Sequence, residues 1–336
     1  MITLSIYEVA KRAGVSITTV SHVFSGQRPV SAKTREHVLD VAREINYRPH
    51  RMAQGLAKGR SMIFGILFPF GGDSLVCNPY FVEQLDGLST AAAKVGYAFL
   101  LIPRTNKTLG PAIEEVLQKI DGAIVVDPSA SDPYFDLLLE KDIPIVTTGR
   151  HLGIHGIPAV ENEHSGYMRD LFDHLLSQDY RDPALITMQK ELSYYQDKEK
   201  AFKREAASRG FQPRLVRAQN PLEGSSFDLA RELLENENKP DIIITVSDFQ
   251  AIEFLRVAVD SGFEVPNDLG IVGDGNTTLA HNSIPTLTST SVQTPMMGEK
   301  AVEMLIEIIS GGEDIENQLV NAAVIKREST TRFKEI

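Results

Sequence analysis

The chain of 336 residues has a formal net charge of −11, 42% hydrophobic residues and a single cysteine, Cys77. That length predicts two or three domains, the lone cysteine excludes an internal disulfide and fits a reducing cytoplasm, and no apolar run or leader-like start predicts contact with a membrane. Charge is unevenly spread: residues 1–60 hold ten Lys and Arg against four Asp and Glu, +6, and the other 276 hold 24 against 41, −17, as expected of a chain that binds a polyanion at one end only.

Residues 6–29, IYEVAKRAGVSITTVSHVFSGQRP, read as two short helices joined by a turn. Val9, Ala10 and Ala13 form the inner face of the first, and Gly14 supplies the left-handed turn residue. Ser16 is placed to cap a second helix over 17–24, with Val20 and Val23 inward and Ile17, Thr18, Ser21 and His22 outward. Helices this short need a third element. It follows at Ser31 or Ala32, with Val38, Val41, Ala42 and Ile45 at helical spacing, and ends before Pro49. A helix-turn-helix head that enters a DNA major groove is the expectation.

The residues YEVAKRAGVSITTVSHV, VSAKTREHV and INYRPHRMAQGLA resemble the N-terminal DNA-binding domain and hinge of the LacI/GalR family of bacterial transcription regulators. The resemblance implies DNA contacts from Tyr7, Ser16, Ile17, Thr18, Thr19, Ser21, His22, Ser31 and Thr34. The hydroxyls near helix starts would meet phosphates, while Ile17, Thr18 and His22 would read base edges. The family usually has Arg where this chain has His22. It also implies that residues 48–60 form a hinge helix in the minor groove with Leu56 wedged between base pairs. A stretch this short containing Gly55 would order only with DNA and a partner hinge.

From Ser61 onward, short β-rich runs at 62–68, 97–102, 122–127, 144–148, 184–188, 242–246, 269–273 and 319–326 alternate with helices near 80–95, 111–119, 163–177, 196–209, 226–236, 248–261 and 295–310. Apolar strands separated by helices predict a doubly wound α/β body, in two series that divide near residue 161 and face each other across a cleft. NPYF (78–81), VENEHSGY (160–167), VSDFQAI (246–252), DSGFEVPNDLGIVG (260–273) and PTLTSTSVQTPMMGEKAVEML (285–305) resemble the LacI family core, which is similar to periplasmic sugar-binding proteins. That implies three crossings between lobes. The expected domains are a head over 1–47, a hinge over 48–60 and a two-lobed effector-binding and dimerisation core over 61–336.

No phosphate loop, GxGxxG, nucleophile elbow or HExxH motif is present, so no enzymatic activity and no cofactor is expected. His151, His155 and His164 have a loose metal-like spacing, but Gly153, Gly156 and Pro158 make the segment a loop, and no metal site is assigned. Asp248 reads as a helix N-cap. The family's pocket implies effector contacts at Tyr80 and Phe81, at Lys198 in place of an Arg, at Ser247 in place of an Asn, and at Asp274 and Asn276 flanking Gly275 in place of an Asp. Phe70 and Arg150 complete the set. If Lys198 and Arg150 both face the cleft the site is positive, which favours a sugar acid or sugar phosphate over a plain hexose.

The expected function is a cytoplasmic sequence-specific repressor that binds a palindromic operator as a homodimer, with tetramers as the further possibility. A small ligand between the lobes would set its affinity for DNA. Two rival readings remain: control by a partner protein, as in relatives that use a phosphocarrier protein, and an enzyme on a small polar metabolite with the head as a tether.

Overall fold

A computed structural model describes residues 5–25, 28–47, 60–69, 78–104, 111–188, 192–218 and 225–332; the sequence-predicted sites Leu56 and Phe70 lie outside them. The chain forms two compact units, divided after Met62.

The first unit is the three-helix head: α1 (Ile6–Ala13), α2 (Ile17–Ser25) and α3 (Ala32–Glu44). Val9, Ala10, Ala13, Val20, Val23, Val38, Val41, Ala42 and Ile45 close a single small core. Gly14 ends α1 in the left-handed region (φ 64°) and returns its N–H to the Ala10 carbonyl, a conformation only glycine adopts without penalty. Ser31 Oγ accepts the Thr34 N–H at 3.2 Å and caps α3. A cap of this kind contributes about 1 kcal/mol. Ser31→Ala is therefore expected to loosen the start of α3, which hydrogen exchange would read as faster exchange of the α3 amides; unchanged exchange would refute it.

The second unit contains two six-stranded sheets. Strands β1 (Ile63–Phe68), β2 (Ala98–Pro103), β3 (Gly122–Val126), β4 (Ile145–Thr148), β5 (Ala159–Glu163) and β11 (Gln318–Asn321) form one, in the order β11-β5-β4-β3-β1-β2, all parallel. Strands β6 (Pro183–Met188), β7 (Arg214–Ala218), β8 (Ile242–Ile244), β9 (Gly270–Asp274), β10 (Thr288–Ser291) and β12 (Ala323–Ile325) form the other, in the order β12-β10-β9-β8-β6-β7. There only the β10–β12 pair is antiparallel. Every residue of β3 and β6 is buried, as parallel strands covered on both faces require.

Helices α4 (Pro79–Val95), α5 (Pro111–Leu117), α6 (Pro133–Glu140) and α12 (Thr294–Ile309) belong to the first lobe, and α7 (His164–Ser177), α8 (Ser193–Ser208), α9 (Ser225–Glu235), α10 (Asp248–Asp260) and α11 (Thr278–Asn282) to the second. The chain passes between lobes at 163–164, at 291–294 and at 321–323. The division near residue 161 is thus incomplete, because α12 and β11 return to the first lobe. The single strand expected over 319–326 is two strands in different sheets. Helices α4 and α12 meet backbone to backbone: a Cβ on Gly87 would stand 1.9 Å from the Pro295 carbonyl oxygen, and one on Gly298 2.6 Å from that of Gln84. None of the helices among the described residues is long and apolar enough to cross a membrane.

Candidate functional site

The head presents its polar residues at two helix starts built alike. Ser16 Oγ accepts the Thr19 N–H at 3.0 Å and lies 2.9 Å from Thr19 Oγ1; Ser31 and Thr34 repeat the pattern, with their hydroxyls 2.8 Å apart. Tyr7, Ser16, Ile17, Thr18 and Ser31 are exposed, while Thr19, Ser21, His22 and Thr34 are half-buried. Ile17 opens α2, so an apolar side chain stands in water at the helix end whose free N–H groups favour an anion. His22 sits deeper than a freely solvated side chain, with Nδ1 shielded and without a partner among the described residues.

The second site is a cleft of about 860 Å³, its open mouth included, at the carboxyl ends of the strands, where open α/β sheets bind ligands. The first lobe supplies Tyr80 and Phe81 from the start of α4 and Asp127 from the end of β3. The second supplies Tyr194 and Tyr195 from the first turn of α8, Ser247 to Phe249 from the start of α10, and Asp274, Gly275 and Thr277 after β9. Asn78 caps α4 by accepting the Tyr80 N–H at 3.1 Å, and Pro79 at its first position presets the turn. Aromatic faces and hydroxyls with a few fixed polar groups suit a small polar ligand with an apolar face.

Of the residues expected here, Tyr80, Phe81, Ser247 and Asp274 line the cleft, whereas Lys198, Arg150 and Asn276 are placed differently. Lys198 is 1% exposed beneath the wall: its Nζ donates to Asp274 Oδ2 at 2.7 Å and to the Thr245 carbonyl at 3.0 Å. Burial pulls this lysine down to about 7 and pushes the Asp274 carboxyl well up; Asp274 also accepts from the Thr290 hydroxyl. The mobile point charge expected at Lys198 is therefore a buried, fully engaged brace. Arg150 is likewise occupied, with Nη1 2.6 Å from Glu161 Oε1 of β5 and both terminal nitrogens on the Asp197 carboxylate of α8. Among the described residues no Lys or Arg lines the cleft, so neither Lys198 nor Arg150 supplies the positive charge expected there. Burial first, and then Asp127 and Asp274, raise Tyr80, and burial and Asp127 raise Tyr195, while the Lys198 ammonium lies 5.8 Å from the Tyr194 ring centroid.

Asn276 turns away from the cleft. Its N–H donates to Ser289 Oγ at 2.9 Å, and its Oδ1 accepts from Arg327 Nη2 at 2.5 Å. Asp248 is not the cap of α10; Ser247 is, accepting the Gln250 N–H at 3.1 Å. The Asp248 carboxylate instead accepts from the Thr277 N–H and hydroxyl and from Ser289 Oγ. His151 Nδ1 accepts from the Gly153 and Ile154 N–H groups, which holds its own loop, whereas His164 pairs with Tyr167 and His155 is exposed.

Asp127, Tyr194, Tyr195, Phe249 and Thr277 were missed. An acid at the end of an apolar strand marks Asp127, and the Tyr194-Tyr195 pair was placed ahead of its helix, which starts at Ser193 and not near 196.

Residues 5–50 match the model of bacterial regulatory proteins, lacI family, and residues 172–330 that of a periplasmic binding protein-like domain. Catabolite control protein A of Staphylococcus xylosus is 26% identical, with 98% of this chain and 100% of that protein covered. The HTH-type transcriptional regulator CelR of Thermobifida fusca is 27% identical, with 90% and 91% covered. Among solved structures, the lac repressor dimer bound to operator and the anti-inducer ONPF superposes with a TM-score of 0.78 at 23% identity, over 98% of this chain and 99% of that one. A complex of the transcriptional regulator CelR with cellobiose gives 0.73 at 24% identity, over 97% and 99%.

Proposed function

This chain belongs to the lacI family of bacterial regulatory proteins and is a DNA-binding transcription regulator; from that premise we propose that it is a cytoplasmic repressor whose grip on a palindromic operator is set by a small ligand between the lobes. The observation that carries the reading is the pairing in one chain of a capped helix-turn-helix head, exposing Ile17 and Thr18 at the start of α2, with a cleft walled by both lobes. Two copies would bind together, because one such head reads too few bases for genomic specificity. Residues 48–60 would be the hinge, with Leu56 as the wedge. Lobe closure would change whether two hinges dock, a coupling of about 1–3 kcal/mol.

A ligand of sugar type is supported by the aromatic walls and by the fold shared with a cellobiose complex. A cleft whose described walls come from both lobes and carry aromatic faces favours this over control by a partner protein alone. No enzymatic role is proposed: two of the three cleft carboxylates, Asp248 and Asp274, are held by neighbouring side chains, and the similar proteins named above are transcription regulators.

The test is release of the chain's own upstream DNA by a metabolite panel. A compound that alters DNA affinity at stoichiometric occupancy supports the reading, and turnover of that compound overturns it. Within the head, His22→Ala is expected to relax base preference at one symmetric position per half-site, worth about 1–3 kcal/mol. An unchanged site preference after selection on random DNA would make His22 a bystander.

A further inference from the structure

Just past β4 the first lobe meets the start of α8, which belongs to the second. Gly149 has φ 81°, and a Cβ built on it would stand 3.5 Å from Ser193 Oγ at the start of that helix, so the lobes approach closely here. The next residue, Arg150, reaches across the same boundary. Its Nη1 lies 2.7 Å from Asp197 Oδ2, and its Nη2 donates to Asp197 Oδ1 at 3.0 Å. This is the forked two-bond geometry that gives a pairing of arginine with carboxylate direction as well as strength. On its own lobe the guanidinium is held by Glu161, whose Oε1 accepts from Nη1 at 2.6 Å.

An ordinary surface bridge contributes little, because water screens it and two free side chains must be ordered to form it. Here the Glu161 and Asp197 side chains are only 14% and 24% exposed, and Glu161 orders the guanidinium in advance. Burial pushes the Asp197 carboxyl up, but the hydrogen bond from Arg150 brings it below its ordinary 3.8, so the pair is ionised at neutral pH. Lys200 also reaches Asp197, at 3.3 Å, but from the same helix, and adds nothing across the boundary. Asp197 follows Tyr194 by three residues and shares its helix face, and Tyr194 is a wall of the cleft. A pull on Asp197 therefore draws that wall toward the first lobe, which carries Tyr80.

We propose that Arg150 is an interlobe latch: clasping Asp197 from a base on Glu161, it sets the distance of the Tyr194 wall from Tyr80 and biases the lobes toward the arrangement that grips a ligand from both sides. Arg150 is a positioning residue in this role and acts without touching the ligand. Removing the guanidinium leaves Glu161 and Asp197 facing each other across the boundary, so attraction gives way to repulsion. A ligand that needs the gripping arrangement binds more weakly in proportion as that arrangement is depopulated. The inference rests on the reading of the cleft as the ligand-control site, and it names the contact that sets the balance between its two lobes.

Spin labels on the full chain test it, one at His155 and one at Lys203, exposed residues that follow Arg150 and Asp197 on their own lobes, with Cys77→Ser to remove the native thiol. Pulsed electron resonance then reads the separation across the boundary. Arg150→Met and Asp197→Asn are expected to raise the population at longer distance by about threefold to tenfold, and Arg150→Lys, which keeps the charge without the fork, to fall between. Salt at about 1 M, which screens beyond roughly 3 Å, should part the lobes in the wild type. In Arg150→Met it should draw them together, because only the repulsion of Glu161 and Asp197 is left to screen. A purely local structural role would lower the melting temperature and leave these distances and their salt response as they are. Separations equal to wild type in both Arg150→Met and Asp197→Asn, or the same salt response with and without the guanidinium, overturn the proposal. If the variants part the lobes but operator affinity is unaltered, the latch stands and control of DNA binding by lobe closure falls. If the separation does not move and a metabolite of the panel still releases the operator, ligand control stands and the latch falls.

Discussion

Lys198→Met is expected to destabilise the core by about 3–5 kcal/mol at neutral pH, the usual cost of stripping one partner from a buried ion pair. Lys198 and Asp274 are both essentially excluded from solvent and 2.7 Å apart, so the methionine fills the volume but leaves Asp274 without its cation. Burial pushes the Asp274 carboxyl up from its ordinary 3.8, and once Lys198 no longer opposes that push the folded variant keeps a proton that the unfolded chain has already lost. Stability from that group is fully present below 3.8 and is lost as pH rises through the folded value. Denaturant titrations should thus show the variant closest to wild type in acid and falling behind toward neutrality. The double variant Lys198→Met with Asp274→Leu should recover most of the loss and flatten the pH dependence. A single variant as stable as wild type at neutral pH, with no extra slope, would show that the pair contributes nothing.

Gly87→Val is the second large effect, with an expected loss of about 3 kcal/mol or more from overpacking that neither helix can relieve. The obstruction is main chain: the added Cβ falls 1.9 Å from the Pro295 carbonyl oxygen and 2.6 Å from its carbon. The gain in helix propensity over glycine is less than about 1 kcal/mol and does not offset it. Because α4 also carries Tyr80 and Phe81, separating it from α12 should displace one wall of the cleft, so ligand binding should weaken with stability. Gly87→Ala should show the same direction at smaller size. A Gly87→Ala protein that melts with wild type would contradict the geometry.

The head was legible because its signals are local. Val9, Val20 and Val38 recur at helical spacing, and Gly14, Ser16 and Ser31 mark its turns within a few positions of the elements they bound. Strands such as β3 and β6 were legible because both faces are covered by apolar residues. By contrast β10, with Thr288, Ser289 and Thr290 all buried, reads as a polar loop until its partners are known: Ser289 holds Asp248 and Thr290 holds Asp274. β5, AVENE, was hidden by its polar half in the same way. The resemblance to the family's pocket pointed to Tyr80, Ser247 and Asp274, which line the cleft. The sign of the cleft's charge did not follow from its residues, since Lys198 finds Asp274 76 positions away and Arg150 finds Asp197 47 positions away. A cation's identity is written in the sequence; whether it is already spoken for is a tertiary fact.

The return of α12 and β11 to the first lobe sets an order on synthesis. When the ribosome has made β1 to β5, α12 has yet to be translated and the faces of β3 and β4 against which it packs are bare, and β5 has an unpaired edge where β11 will lie. The second lobe must emerge before that cover arrives, so the nascent first lobe waits through some 130 residues, about ten seconds or more at ordinary elongation rates, with apolar surface open to chaperones or to its neighbours. Cutting the chain between the lobes therefore cannot yield either as a finished piece, and a ribosome stalled before residue 294 should hold a first lobe sensitive to protease that becomes resistant only once residue 321 has cleared the exit tunnel.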